Sequence, residues 1–118
     1  MLMFPPAVRI FLATAPTDMR RSFDTLAELV RHQLGQEPLS GHLFVFRNRN
    51  GDRAKLLFWD RTGYVLYYKR LEKGTFHFPS AGRAGHEVEA AELALMLEGI
   101  ELAGARRRER FVGRVSTT

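Results

Sequence analysis

Apolar residues follow the helical period in two segments of the chain. From Phe23 to Leu34 they recur at the spacing that lines one face of a helix, and Gly35 follows as a stop signal. The same period returns from Glu89, with acidic residues in the first turn, where they complement the helix dipole. We therefore predict amphipathic helices near residues 22–34 and 89–98.

Shorter segments are rich in aromatic and β-branched residues and predict strands. They span residues 7–13, 42–47, 54–60, 64–70 and 75–78. Turn sequences separate the last four, and the Asn50-Gly51 pair is a strong turn signal because both residues readily adopt positive φ. Strands joined by tight turns pair antiparallel. We predict an α+β fold, with a twisted antiparallel sheet of about five strands and two amphipathic helices on one face.

The length and composition of the chain suit a small globular protein. With 118 residues, 45% of them hydrophobic, the chain can bury a core of its own. We predict a single α+β domain over residues 1–104 and a flexible, basic C-terminal tail over residues 105–118. No cysteine is present, which excludes disulfides, thiolate metal ligands and cysteine nucleophiles. No signal peptide or membrane span is evident, so we predict a cytoplasmic protein without a membrane partner.

The net charge of +5 is unevenly distributed along the chain. Residues 42–73 carry a net +5 and residues 103–118 a net +4, whereas residues 74–102 carry −4 and residues 1–41 are neutral. Two basic zones of this kind suit a polyanion such as nucleic acid. The alternative is an arginine-rich surface that serves only solubility.

Cations in the strand-rich segment are interleaved with aromatic residues, a pattern that can stack bases and contact phosphates. Two further arginines stand at a predicted helix start, where cations oppose the dipole, which suggests pairing with a carboxylate or phosphate. The nucleic-acid-binding candidates are Arg20, Arg21, Arg47, Arg49, Arg53, Lys55, Lys69, Arg70, Arg106, Arg107 and Arg108. Period-two alternation assigns most aromatic residues to the core. The candidates for an exposed partner surface are Trp59 and Tyr67.

The sequence offers little support for catalysis. A metal-dependent nuclease needs about three converging carboxylates. The aspartates of this chain lie instead at predicted helix starts, turns and strand ends. These carboxylates are Asp18, Asp24, Asp52 and Asp60. The histidines lack metal-ligand spacing, and the serines lack a nucleophile-elbow context. We predict a protein that is not an enzyme and has no catalytic residue, metal site or cofactor.

Four segments together resemble a known family. They are residues 17–24 (TDMRRSFD), 40–46 (SGHLFVF), 57–60 with 69–74 (LFWD and KRLEKG), and 93–100 (LALMLEGI). In this order and spacing they resemble the TnpB accessory proteins of insertion-sequence-66 elements, over about residues 8–102. Ser22 stands where the family is expected to have glycine. The RNA-guided nuclease that shares the name TnpB is unrelated.

The resemblance implies a role in DNA transposition beside a separate, larger transposase that carries the catalytic residues. The expected partners are therefore that transposase and DNA. We predict a non-catalytic accessory protein that assists transposition of an insertion sequence by binding DNA, the transposase or both. The alternatives are a general nucleic-acid-binding protein unrelated to transposition and a small metal-dependent nuclease.

Overall fold

The computed structural model describes residues 7–78 and 86–99, and the backbone of residues 100–101 and 106–107. The elements in chain order are β1 (Ile10–Leu12), α1 (Phe23–His32), a 3-10 turn (Pro38–Ser40), β2 (Leu43–Arg47), β3 (Arg53–Trp59), β4 (Tyr64–Arg70), β5 (His86–Val88), α2 (Ala90–Leu97), β6 (Ile100–Glu101) and β7 (Arg106–Arg107). Both helices lie where the apolar period predicted them.

The main sheet has five strands in the order β4-β3-β2-β1-β5. This arrangement confirms the predicted α+β class and the strand number. The pairing is mixed, however: β1 and β2 run parallel, whereas the other neighbours are antiparallel. The chain leaves the end of β1, passes through α1 and re-enters the sheet in the same direction, and a crossover of this kind produces parallel neighbours.

The two helices lie on opposite faces of the sheet, and not on one face as the sequence suggested. On the first face, α1 packs Leu26 and Val30 against side chains of β1, β2 and β3, including Phe11 and Phe44. On the second face, Leu93 and Met96 of α2 pack against a separate set that includes Leu12 and Val45. Both faces of the inner strands must be packed against other elements, because successive side chains of β1 and β2 are buried on alternate faces.

The fifth strand also differs from the prediction. Residues 75–78 form no strand; they run beneath the second face, where Phe76 is buried and Phe78 is half-buried. The outer position beside β1 is taken by β5, in which Val88 pairs with Ile10. The aromatic composition of residues 75–78 therefore reflects their contribution to the core rather than a place in the sheet.

Local interactions fix the start of α1. The hydroxyl of Thr25 accepts a hydrogen bond from the backbone N–H of Ser22, at 3.0 Å. Leu26 N donates to the carbonyl of Ser22 at 2.8 Å, which begins the helical ladder. The loop before α1 is held against the sheet, since Thr17 N donates to the carbonyl of Arg47 at 2.7 Å.

Candidate nucleic-acid interface

One end of the sheet collects most of the predicted cations. It is formed by the ends of β2 and β4, the start of β3, the loop before α1 and the turn between β2 and β3. We call this region the basic end and define it by Arg20, Arg21, Arg49, Arg53, Lys69 and Arg70. The sequence placed these residues in separate segments, and the tertiary structure brings them to one rim.

Lys55 is a buried residue of β3 that connects the loop before α1 to the sheet at the basic end. Its ammonium donates to the carbonyls of Met19 and Arg21, each at 2.7 Å. It also lies 4.6 Å from the centre of the Tyr68 ring, within the range of a cation–π contact. Lys55 is only 6% exposed. The lysine predicted to contact nucleic acid is therefore occupied in tying the loop before α1 to the sheet.

Tyr68 extends this chain of contacts to the surface. Tyr68 is 49% exposed, which makes it one of the most exposed large hydrophobic residues in the described part of the chain. Its hydroxyl lies 3.4 Å from a guanidinium nitrogen of Arg53, and this contact raises the pKa of Arg53. Arg53 also lies across from Arg70 in the β3–β4 register. An aromatic face flanked by cations is the arrangement on which a nucleobase or sugar can pack beside bound phosphates.

A groove of about 500 Å³ opens between the loop before α1 and the β2–β3 turn. Its lining combines cations, amides and carboxylates; the polar members are Thr17, Asp18, Asn48, Arg49, Asn50, Asp52 and Arg53. Asn48 stabilises the turn, because its amide donates to Asp52 at 2.7 Å and its oxygen accepts from Arg53 N at 3.0 Å. Arg49 is exposed at the tip of this turn, and no described residue pairs with its guanidinium.

Three of the other predicted arginines already have protein partners. One of them, Arg70, donates to the carboxylate of Glu72 at 3.0 Å. Arg20 binds Asp18 through several hydrogen bonds, the shortest 2.7 Å, and these lower the pKa of that carboxyl to about 2. The Arg20 side chain is nevertheless 91% exposed, so it can exchange this partner for a phosphate. Arg47 is half-buried and donates to the carbonyl of Thr14 at 2.6 Å, and burial lowers its pKa. Arg47 therefore supports the loop from within.

The predicted partner-surface aromatics do not join the basic end. Trp59 lies at the opposite end of β3, half-buried, with its ring 5.2 Å from that of Tyr64 in an edge-to-face contact. Tyr67 is half-buried against the second face of the sheet. The aromatic residue that does lie beside the cations is Tyr68, on the opposite side of β4 from Tyr67. Strand alternation separates the two neighbours, but only the tertiary structure shows that Tyr68 is the more exposed.

The four carboxylates considered for catalysis do not form one cluster. Asp18 binds Arg20, Asp52 accepts from Asn48, and Asp60 accepts from the backbone of Thr62 and Gly63 in the β3–β4 turn. Asp24 lies in the first turn of α1. Within residues 7–78 and 86–99, no three histidine or carboxylate side chains are grouped as a metal site requires. Likewise, no helix in the described part of the chain could cross a membrane.

The predicted C-terminal tail lies largely outside the described residues. The backbone of β7, Arg106–Arg107, pairs antiparallel with β6 in a small second sheet. Arg108 and the remainder of the tail are not among the described residues. The contribution of these three arginines to a nucleic-acid surface stays a prediction.

The basic end and its sheet occur in a chain that matches a family model over most of its length. The model is described as IS66 Orf2 like protein, and it matches residues 8–107. This chain belongs to the IS66 Orf2-like family. The resemblance to insertion-sequence-66 accessory proteins is thereby confirmed, and membership of the family supports a role associated with transposition.

Relatives in the IS66 Orf2-like family include two proteins from Sinorhizobium fredii (strain NBRC 101917 / NGR234). The uncharacterized protein y4hO is 43% identical over 94 residues, which cover 80% of this chain and 82% of the relative. The uncharacterized protein y4jC is 35% identical over 101 residues, which cover 86% of each chain. No solved structure matches the chain.

Proposed function

We propose that this IS66 Orf2-like protein is a non-catalytic accessory protein that binds DNA through the basic end during transposition. One observation carries the proposal: the fold brings cations from two distant segments to one end of the sheet, where an open groove and an exposed tyrosine also lie. Arg20 and Arg21 come from the loop before α1, whereas Arg49 and Arg53 come from the β2–β3 hairpin. The family supports the link to transposition.

The geometry of the basic end favours contacts with the phosphate backbone. Guanidinium groups bind phosphate well because their donors match two oxygens at once. The elements at this end are loops and strand ends, and no described helix projects from it as a recognition helix would into the major groove. We therefore propose binding that is electrostatic and has little sequence preference.

Salt dependence provides the direct test. Binding to a duplex carrying the element end and to a scrambled duplex should be measured by fluorescence anisotropy across a salt series. Replacing Arg49 by Gln should weaken binding to both duplexes and reduce the salt slope by about 0.9 per lost phosphate contact. Arg53→Gln should act in the same direction.

The matched control is Arg61→Gln. Arg61 lies in the β3–β4 turn at the opposite end of the sheet, so this variant loses the same charge outside the basic end. It should leave the salt slope unchanged. Equal effects of Arg49→Gln and Arg61→Gln would mean that net charge, rather than the basic end, governs binding.

The binding assay and two further observations distinguish the proposal from the alternative functions. No binding to either duplex at low salt would refute the DNA-binding role, and co-purification with the transposase of the same element would then identify a protein-binding role. Strong preference for the element end that persists at high salt would contradict an electrostatic mode. A general nucleic-acid-binding role outside transposition would be favoured if no transposase gene and no terminal inverted repeats flank the gene.

A further inference from the structure

Strand β4 forms one edge of the main sheet, and its outer side has no partner strand among the described residues. It is seven residues long, rich in aromatic and aliphatic side chains, and none of its residues is fully buried. Natural proteins usually shield long edges with proline, bulges or charges along the strand. Here the only charges are Lys69 and Arg70 at one end, which leaves Tyr64 to Tyr68 as an open apolar edge.

The hydrogen-bond phase of the β3–β4 pair determines which backbone groups face outward. Leu71 N donates to Asp52 O at 2.8 Å, so this opposed pair is of the hydrogen-bonded type. Because hydrogen-bonded and non-bonded pairs alternate in an antiparallel ladder, Arg53 and Arg70 form a non-bonded pair. The outward backbone groups of β4 therefore belong to alternate residues, which are Tyr64, Leu66, Tyr68 and Arg70.

We infer that this edge pairs with β4 of a second copy of the chain, antiparallel about a two-fold axis at Tyr67. In this register Tyr64 faces Arg70 of the other copy, and Leu66 faces Tyr68. Every outward N–H and C=O of the four residues then finds a partner across the axis. The two five-stranded sheets become one continuous sheet with a two-fold symmetric interface.

Side-chain complementarity supports a second copy of the chain as the occupant in this register. Each cation opposes an uncharged side chain: Arg70 meets the ring of Tyr64, which permits a cation–π contact, and Lys69 meets Val65. On the second face of the sheet the two copies of Tyr67 meet at the axis. A shift of the axis to Lys69 would oppose two ammonium groups, and parallel pairing would place the cations of both copies side by side.

The pairing uses Lys69 and Arg70 of each basic end but does not involve its other cations, Arg20, Arg21, Arg49 and Arg53. In the proposed register the two copies of Arg70 lie six residues apart along the strand direction, or about 20 Å at the rise of an antiparallel strand. The dimer would therefore present two basic ends at opposite margins of one sheet. The inference rests on the edge of β4 and does not depend on DNA binding.

Disulfide trapping tests the register, because the chain contains no natural cysteine. Opposed non-bonded positions in an antiparallel pair are close enough for a disulfide, so Tyr67→Cys should cross-link two copies under mild oxidation. Lys69→Cys is the matched control on the same face of the same strand. Its two copies would be about 14 Å apart and beyond disulfide reach. We expect Tyr67→Cys to cross-link roughly tenfold faster or more, because only there is the thiol held beside its partner.

A second pair of variants tests the backbone hydrogen bonds. Tyr68→Ala and Tyr68→Pro both remove the ring, but only proline also removes the outward N–H, which the β3–β4 ladder does not use. Sedimentation equilibrium should show a dimer for the wild type, a weaker dimer for Tyr68→Ala and a monomer for Tyr68→Pro. Circular dichroism of both variants should match the wild type, which checks that they keep the fold.

Three results would overturn the inference. One is a wild-type chain that sediments as a monomer at every soluble concentration. Another is equal cross-linking rates for Tyr67→Cys and Lys69→Cys. The third is slow hydrogen exchange at the amides of Leu66 and Tyr68 in a monomer, since that pattern would place a segment of the same chain, such as the C-terminal tail, on the edge.

Discussion

Replacing Lys55 by methionine tests whether this lysine stabilises the fold, as its contacts indicate, or binds a ligand as the exposed cations do. The substitution keeps an unbranched side chain of similar length but removes the ammonium that donates to Met19 and Arg21 at 2.7 Å. Each hydrogen bond from a charged donor contributes about 1.5–3 kcal/mol, so the two bonds together contribute roughly 3–6 kcal/mol. Loss of the ammonium also removes its cost of burial, which offsets part of that sum. We expect a net loss of about 2–4 kcal/mol in the free energy of unfolding.

Urea denaturation measures this loss directly. Trp59 is the only tryptophan of the chain and packs against Tyr64 in the folded state, so its fluorescence reports unfolding. The midpoint should fall while the dependence of the unfolding free energy on urea stays unchanged. Lys69→Met is the matched control because Lys69 is partly exposed at an edge, and its effect should lie within about 0.5 kcal/mol of zero.

DNA binding by the Lys55→Met variant should retain the wild-type salt slope, provided that it is measured where the variant is folded. Lys55 is 6% exposed and its ammonium already has two acceptors, so it releases no counterion on binding. The reasoning would be refuted by a variant of wild-type stability whose salt slope falls by about 0.9. That result would mean that Lys55 contacts phosphate and is not held by the loop before α1.

The remaining predictions concern chemistry, pH and backbone strain. The purified protein should cleave no plasmid DNA with Mg²⁺ or Mn²⁺; cleavage that is abolished by Asp18→Ala or Asp60→Ala would contradict a non-catalytic role. Hydrogen bonds from Arg20 lower the pKa of Asp18 from 3.8 to about 2, so stability should fall as pH drops through this interval, and urea midpoints of Asp18→Asn should fall less over the same pH range. Gly41 has φ +86°, and a Cβ there would meet only the Trp59 carbonyl at 3.8 Å; Gly41→Ala should therefore lose about 1–2 kcal/mol through backbone strain alone, as urea denaturation can establish.

The local features of the fold could be predicted from the sequence. The helical period from Phe23 identified α1, and the turn residues around Gly51 and Gly63 identified the β2–β3–β4 meander. These signals succeed because a helix face and a tight turn depend on residues that are close together in the chain. The family resemblance could also be seen from the sequence, because it rests on short segments and on their order along the chain.

The pairing of β1 and the placement of the helices could not be predicted in this way. The relevant signal was the uninterrupted apolar runs of β1 and β2, which are typical of strands covered on both faces, but the runs do not specify which element covers which face. Residues 75–78 likewise have the composition of a strand yet serve as a cover for the second face. Which element covers which face is set by packing between segments far apart in sequence.

The candidate interface shows the same division. Sequence alone determined that the strand-rich segment is basic and aromatic, because charge and composition are properties of the chain. Only the tertiary structure decided that Arg20 and Arg21 join Arg49 and Arg53 at one end of the sheet, and that Lys55 is buried beneath them. The physical reason is that a side chain's accessibility depends on what packs over it, and the loop covering Lys55 lies more than thirty residues away in the sequence.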